Sequence, residues 1–294
     1  PPRSTLFPYT TLFRSIQLAK ELNVKANDLV GVVNATAGLN AVAQSISLKE
    51  GDEILTSDHE YGALEKTWEY VAKTKKAKIV EVKVPIPLLS ENQFVEAFKN
   101  KINKKTKILF ISHITSPTAL VFPLKKLIKE ANKRGIISII DGAHAPGHIK
   151  LNISDLKADF YSGNCHKWMM APKGAAFLWA NKNNKNILEP LVISHGWLPN
   201  NYRKLQKGEF SKDRFIDNFE VQGTRDPSAW LAIPDAIKFI KNKKYAKAFN
   251  DSAKLAYETA TRIAKLTKIP LLANQDFLAP QMISIPVPYC NVDN

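Results

Sequence analysis

From Ile16 onward the chain alternates between short β-branched, aliphatic runs and longer amphipathic stretches. DLVGVVNAT (28–36) reads as a short strand running into a loop, and AGLNAVAQSISL (37–48) as a helix. DEILTSDHE (52–60) predicts a strand, followed by the helical YGALEKTWEYVAKT. AKIVEVKVP (77–85) predicts another strand, with ENQFVEAFKNKI as its helix. TKILFISHI (106–114) precedes the amphipathic PLKKLIKEANKR, which Gly135 closes; IISIIDGAH (136–144) and GAAFLWA (174–180) add further strands. Buried strands separated by amphipathic helices predict an α/β fold whose sheet is mainly parallel and covered on both faces. Such sheets bind ligands at the carboxyl ends of their strands. The polar clusters NATAG, SDHEYG, SHITSPT, DGAHA and SGNCHK all fall at those ends, so one shared pocket is expected. No internal repeat or long Gly/Ser linker divides this region. The sequence turns basic and helical around 236–250, which places a large domain at 16–245 and the start of a smaller one at 246–294.

The first fifteen residues do not follow the pattern. STLFPYTTLFRS (4–15) has an internal TLF echo and neither period; it resembles the translation of a short-read sequencing adapter. The genuine sequence is expected to begin near Ile16.

Composition narrows the function classes. The 294 residues are 45% hydrophobic, enough for one large core or two smaller ones, and carry a formal net charge of +15. The positive charge is mostly scattered Lys, in runs such as KTKKAK (73–78) and KNKK (241–244) without interleaved aromatics. That pattern reads as a solvated face rather than a nucleic-acid groove. No apolar stretch is long enough to span a membrane. Two Cys, Cys165 and Cys290, make no disulfide framework and fit a reducing cytoplasm.

The chemistry centres on SGNCHKWMMAPKGAA (162–176), where Lys167 lies in a run with little charge. A desolvated amine loses part of its preference for the charged state and becomes a usable nucleophile toward carbonyls. Asp141 ends an apolar strand, where a carboxylate is costly without a cation or donors. A buried Lys and a buried Asp at strand ends suit pyridoxal phosphate: the amine joins its aldehyde, and the carboxylate keeps its pyridine nitrogen protonated. NATAGLN opens a helix with small and hydroxyl residues, a favourable place for a phosphate. A metal site at Asp141, His144 and His148 is disfavoured, because Gly142, Pro146 and Gly147 break the helix that would align them. Cys165 beside His166 reads as a structural thiol rather than a nucleophile. Neither G-x-G-x-x-G nor G-x-x-x-x-G-K-[ST] occurs.

The strings NATAGLN, GDEILTSDHEYGA, ISHITSPTALVFPL, DGAHAPGHIKLNISDLKADFYSGNCHKW, APKGAAFL, PLVISHGW and VQGTRDPSA run in order over about 28–235. With them the chain resembles the class V aminotransferases of fold type I, pyridoxal-phosphate enzymes, and within these the isopenicillin N epimerase-like and cysteine desulfurase-like proteins. The resemblance implies a seven-stranded, mainly parallel sheet covered by helices, with a small C-terminal domain that is truncated here. It assigns Lys167 to the Schiff base, Asp141 to the pyridine nitrogen and His144 to the phenolic oxygen. His59 would stack on the ring, with Tyr61 a second candidate. Thr36 and the Ala37 amide would hold the phosphate, helped by His166 and Asn164. Thr224 would reach the phosphate in the other subunit, implying a homodimer with shared sites. The substrate would be an amino acid undergoing epimerisation, transamination or C–S cleavage. The other reading is a pyridoxal-phosphate fold kept as a binding or regulatory module without turnover, or an inactive truncated fragment. The arginine that grips a substrate carboxylate in relatives is not visible; it is expected beyond the C-terminal end.

Overall fold

A computed structural model describes residues 16–197 and 213–288. The segment 4–15 and Cys290 lie outside the described residues. After a helix at 16–22 (α1), the elements follow in strand–helix alternation: β1 (Leu29–Val32), α2 (Ala35–Ser45), β2 (Glu53–Ser57), α3 (Gly62–Lys75), β3 (Lys78–Val82) and α4 (Glu91–Lys99). β4 (Thr106–Ser112), α5 (Leu124–Lys133), β5 (Ile137–Asp141), α6 (Ile153–Leu156), β6 (Phe160–Asn164) and β7 (Ala176–Ala180) complete the sheet region. Four helices follow: α7 (Arg214–Glu220), α8 (Ser228–Leu231), α9 (Ile233–Ile240) and α10 (Lys243–Thr267).

The strands form one seven-stranded sheet in the order β1-β7-β6-β5-β4-β2-β3. β7 pairs antiparallel with both β1 and β6, and every other pairing is parallel, so among the described strands β7 alone runs against the sheet. Alternate residues of each central strand enter opposite cores. Ile54, Ile108, Phe110, Ile139, Phe160 and Leu178 pack with α2 and α3 on one face. Leu55, Leu109, Ile111, Ile140, Tyr161 and Phe177 pack with α4 and α5 on the other. This two-sided burial is why the strands are continuously apolar rather than alternating.

Three details differ from the expectation. β6 is a separate strand that the hydrophobic pattern does not announce. Only Phe160 and Tyr161 are large and apolar there; α2 covers Ser162 and Asn164, and Pro146 and Phe177 cover Gly163 on the other face. A Cβ on Gly38 would sit 2.5 Å from Ser162 Oγ, so only glycine allows that approach. β3 is the sheet's edge and is largely exposed, which explains its Lys and Glu. α2 begins at Ala35, earlier than expected, because Asn34 caps it: Asn34 Oδ1 accepts from the Ala37 amide.

The expected division between 245 and 246 falls in the first turn of α10. Past α10 the chain returns to the main body, where Ala273 bridges to Leu88 and Leu278 bridges to Leu120. No helix among the described residues is long and apolar enough to cross a membrane.

Candidate active site

Parallel pairing brings the carboxyl ends of β2, β4, β5 and β6 to one edge, together with the end of β1 and the start of α2. A cavity of about 210 Å³ opens there. All five polar clusters reach it, through Thr36, Tyr61, Ser116, His144 and Lys167 among others.

Asp141 is the last residue of β5, paired in register with Ser112 of β4 and Ser162 of β6. It is 3% exposed. Its Oδ1 accepts from the Ala143 amide at 2.8 Å. Oδ2 has no hydrogen-bond donor among the described residues. Burial pushes the carboxyl up to about 6, against the opposing pull of the Ala143 amide and Lys167. Behind it, Tyr161 bonds His113 Nδ1 at 2.9 Å, both side chains being buried. A Cβ on Gly142 would lie 2.0 Å from the Tyr161 ring, so the turn after Asp141 admits only glycine.

Lys167 stands in the turn between β6 and β7, which folds back through bonds from the Cys165 and His166 amides to the Ala175 carbonyl. Its Nζ lies 2.9 Å from His144 Nε2. Burial lowers the amine's pKa, partly offset by Asp141. Lys173, the alternative lysine, is exposed and lies outside the cavity lining. Cys165 is fully buried and its thiol is pushed well upward by burial, which leaves no thiolate for chemistry.

At the start of α2, the Ala35 amide donates to Asn164 Oδ1 at 2.8 Å and the Ala37 amide to Asn34 Oδ1 at 2.7 Å. Thr36 therefore keeps the open donors of that turn, while the Ala37 amide is occupied. His166 Nδ1 is 3.0 Å from the Ala175 carbonyl and so carries the proton of a neutral ring. Its Nε2 becomes a donor to an anion only when the ring is protonated.

Three expected contacts, Ala37, His59 and Thr224, are not brought into the lining. His59 is 9% exposed beside the cavity, with Nδ1 held 2.8 Å from Thr118 Oγ1. Thr224 is exposed and contributes nothing to this chain's own cavity. His148, the third member of the disfavoured metal set, has both nitrogens engaged: Nδ1 faces the His144 carbonyl at 3.2 Å and Nε2 accepts from the Gln281 amide at 3.1 Å.

The sequence reading missed Glu60. It is buried, accepts from the Ser112 amide and hydroxyl, and bonds Ser57. Burial raises its pKa to about 8, the serine bonds opposing and Asp141 adding to the rise. Its signal was a carboxylate three residues past an apolar strand, hidden in a polar cluster. Trp168 stands out in the sequence only as Lys167's neighbour, yet its indole N–H bonds His144 Nδ1 at 3.2 Å.

A buried Asp carboxylate, a desolvated Lys amine and open helix-start donors face one cavity. That donor and acceptor set fits pyridoxal phosphate. The fold is that of solved pyridoxal-phosphate enzymes: the apo structure of a cysteine desulfurase from Thermococcus onnurineus NA1 superposes with a TM-score of 0.76 at 21% identity, covering 95% of this chain and 68% of that one. The class V aminotransferase family model matches residues 15–294, and the chain belongs to that family, whose members use pyridoxal phosphate. It is 34% identical over 252 residues to an isopenicillin N epimerase from Amycolatopsis lactamdurans, covering 84% of this chain. It is 27% identical over 234 residues to a probable chloroplastic L-cysteine desulfhydrase of Arabidopsis thaliana, covering 74% of this chain. The chain spans 63% and 47% of those two relatives' lengths.

Proposed function

We propose that the chain binds pyridoxal phosphate in this cavity and acts on an amino acid, by epimerisation, transamination or C–S cleavage. The observation that carries the reading is the carboxylate of Asp141, 3% exposed at the end of β5, in the cavity that Lys167 also lines. Lys167 would hold the cofactor through its aldehyde, and Asp141 would hold a proton on the pyridine nitrogen. When bound, the group supplies an electron sink for charge developing at the substrate Cα. Thr36 and Asn164 would donate to the phosphate, and His166 would join them once protonated by the anion's presence. The Ala37 amide can join only by leaving Asn34. His144 and Tyr61, which line the cavity, would contact the ring, and His59 is assigned to the ring face by resemblance. Lys167 Nζ, desolvated and next to His144, is the amine available to move a proton at Cα.

Thr224 is read as donating to the partner subunit's phosphate, so the working unit is a homodimer. The buried free thiol of Cys165 suits a reducing cytoplasm. The test is to load the purified chain with pyridoxal phosphate and screen amino acids for keto acid, inverted amino acid and sulfide. Appearance of one product assigns the reaction. Failure of the chain to bind the cofactor at all overturns the reading.

A further inference from the structure

The indole N–H of Trp168 is a donor and never an acceptor. Its 3.2 Å bond to His144 Nδ1 therefore requires a lone pair on that nitrogen. A neutral imidazole then carries its one proton on Nε2, the atom 2.9 Å from Lys167 Nζ. That N–H needs an acceptor, and an amine accepts only when it is neutral. We propose that Trp168 is a positioning residue that fixes the His144 tautomer, so that His144 Nε2–H donates to Lys167 and holds its amine in the neutral, nucleophilic form.

The indole is itself held in place. Its ring stacks on His148 with centroids 3.9 Å apart and planes 17° from parallel. His148 is oriented from both sides, Nδ1 to the His144 carbonyl and Nε2 to the Gln281 amide. From α10, the Tyr245 hydroxyl reaches the Trp168 carbonyl at 3.5 Å. The segment that follows α10 thus reaches the lysine through Gln281, His148, Trp168 and His144.

Other charges facing this group act consistently or weakly. Burial, Lys167 and His148 all oppose a proton on His144, which is lowered to about 4. His166 is likewise lowered, by burial first and then by Lys167 and Lys173. Asp141 is the opposing charge, favouring ammonium, and Glu60 behind it is held protonated by burial up to about pH 8. The device acts on the free amine and does not depend on the cofactor reading.

The test uses the full chain freed of any bound aldehyde. Histidine ¹⁵N spectra, with His144 identified through a His144→Gln sample, report which ring nitrogen carries the proton. Reductive methylation by formaldehyde and cyanoborohydride, mapped by peptide mass across pH, reports the neutral fraction of Lys167. Trp168→Phe removes the N–H and keeps a ring on His148. Where that variant folds poorly, β-(3-benzothienyl)alanine at 168 keeps the bicyclic shape without the N–H. The proposal expects an unprotonated Nδ1 in the wild type. It also expects the methylation midpoint to rise by about one pH unit without the N–H, a ~10-fold loss of labelling at fixed pH below it. A protonated Nδ1 in the wild type overturns it, and so does an unchanged Lys167 midpoint in a folded variant lacking the N–H. Neither readout requires cofactor or turnover.

Discussion

Replacing Glu60 by Gln should lessen the chain's loss of stability in mildly alkaline solution by about 2 kcal/mol. In the folded chain the Glu60 carboxyl titrates at about 8, raised mainly by burial, while an unfolded chain gives it an ordinary value of 4.5. Between those values the native state binds a proton that the unfolded state has released. Stability therefore falls as pH rises through that window and levels off above the folded value. Asp141, raised to about 6, and Glu220, raised to about 7, act in the same direction over narrower windows. His113, His144 and His148, each lowered to about 4, act oppositely between there and the ordinary histidine value. Above that range Glu60 contributes more than the other two raised carboxyls. Integrating its proton release from about pH 6.5 to about pH 9 gives roughly 1.5 protons·pH units, or about 2 kcal/mol. Gln keeps the shape of the protonated acid, with an oxygen for the Ser112 amide and an NH₂ for Ser57. Urea unfolding of wild type and Glu60→Gln across that range should show the wild type losing about 2 kcal/mol more than the variant. Parallel pH profiles for the two would refute the buried, protonated Glu60.

Three other outcomes follow from the packing and the site. Gly142→Ala forces a methyl into the Tyr161 ring, and such overpacking costs about 1–3 kcal/mol. Thermal melting should drop by roughly 2–4 °C per kcal/mol, and an unchanged melt would mean the turn is slack. Cys165→Ala should keep turnover and cost about 1 kcal/mol of stability, since the thiol is buried and un-ionised; loss of turnover in a folded variant would make it chemical. Mixing Lys167→Ala with a Thr224→Val chain carrying a bulky block in the same loop should raise activity above the parents' average, because one pocket per heterodimer is intact. Confirmed subunit exchange without that rise would remove Thr224 from the partner's site.

Much of this architecture was legible in the sequence because two-sided burial writes long apolar runs. Ile108–Ile111 and Ile137–Ile140 could be little else than central strands. The polar clusters after them marked the binding edge, and Asp141 stood out because a carboxylate ending such a strand needs a partner. β6 was hidden since its burial depends on Gly38 in a distant helix, which no local pattern reveals. Glu60 was hidden because SDHEYG looks solvated until β4 supplies Ser112 from across the sheet. The occupied Ala37 amide reflects a cap that Asn34 makes, so the residue type was readable and the competition for that amide was not. Likewise, Trp168 beside Lys167 was visible, while its bond to His144 depends on how the β6–β7 turn folds back over the loop after β5.

Lys167 is proposed as the amine joined to pyridoxal phosphate. Loading the chain with the cofactor, reducing with borohydride and mapping the modified peptide by mass tests it directly. A reduced adduct is expected on Lys167, and Lys167→Ala should abolish it. An adduct on the exposed Lys173, or none on a chain that holds the cofactor, would contradict it.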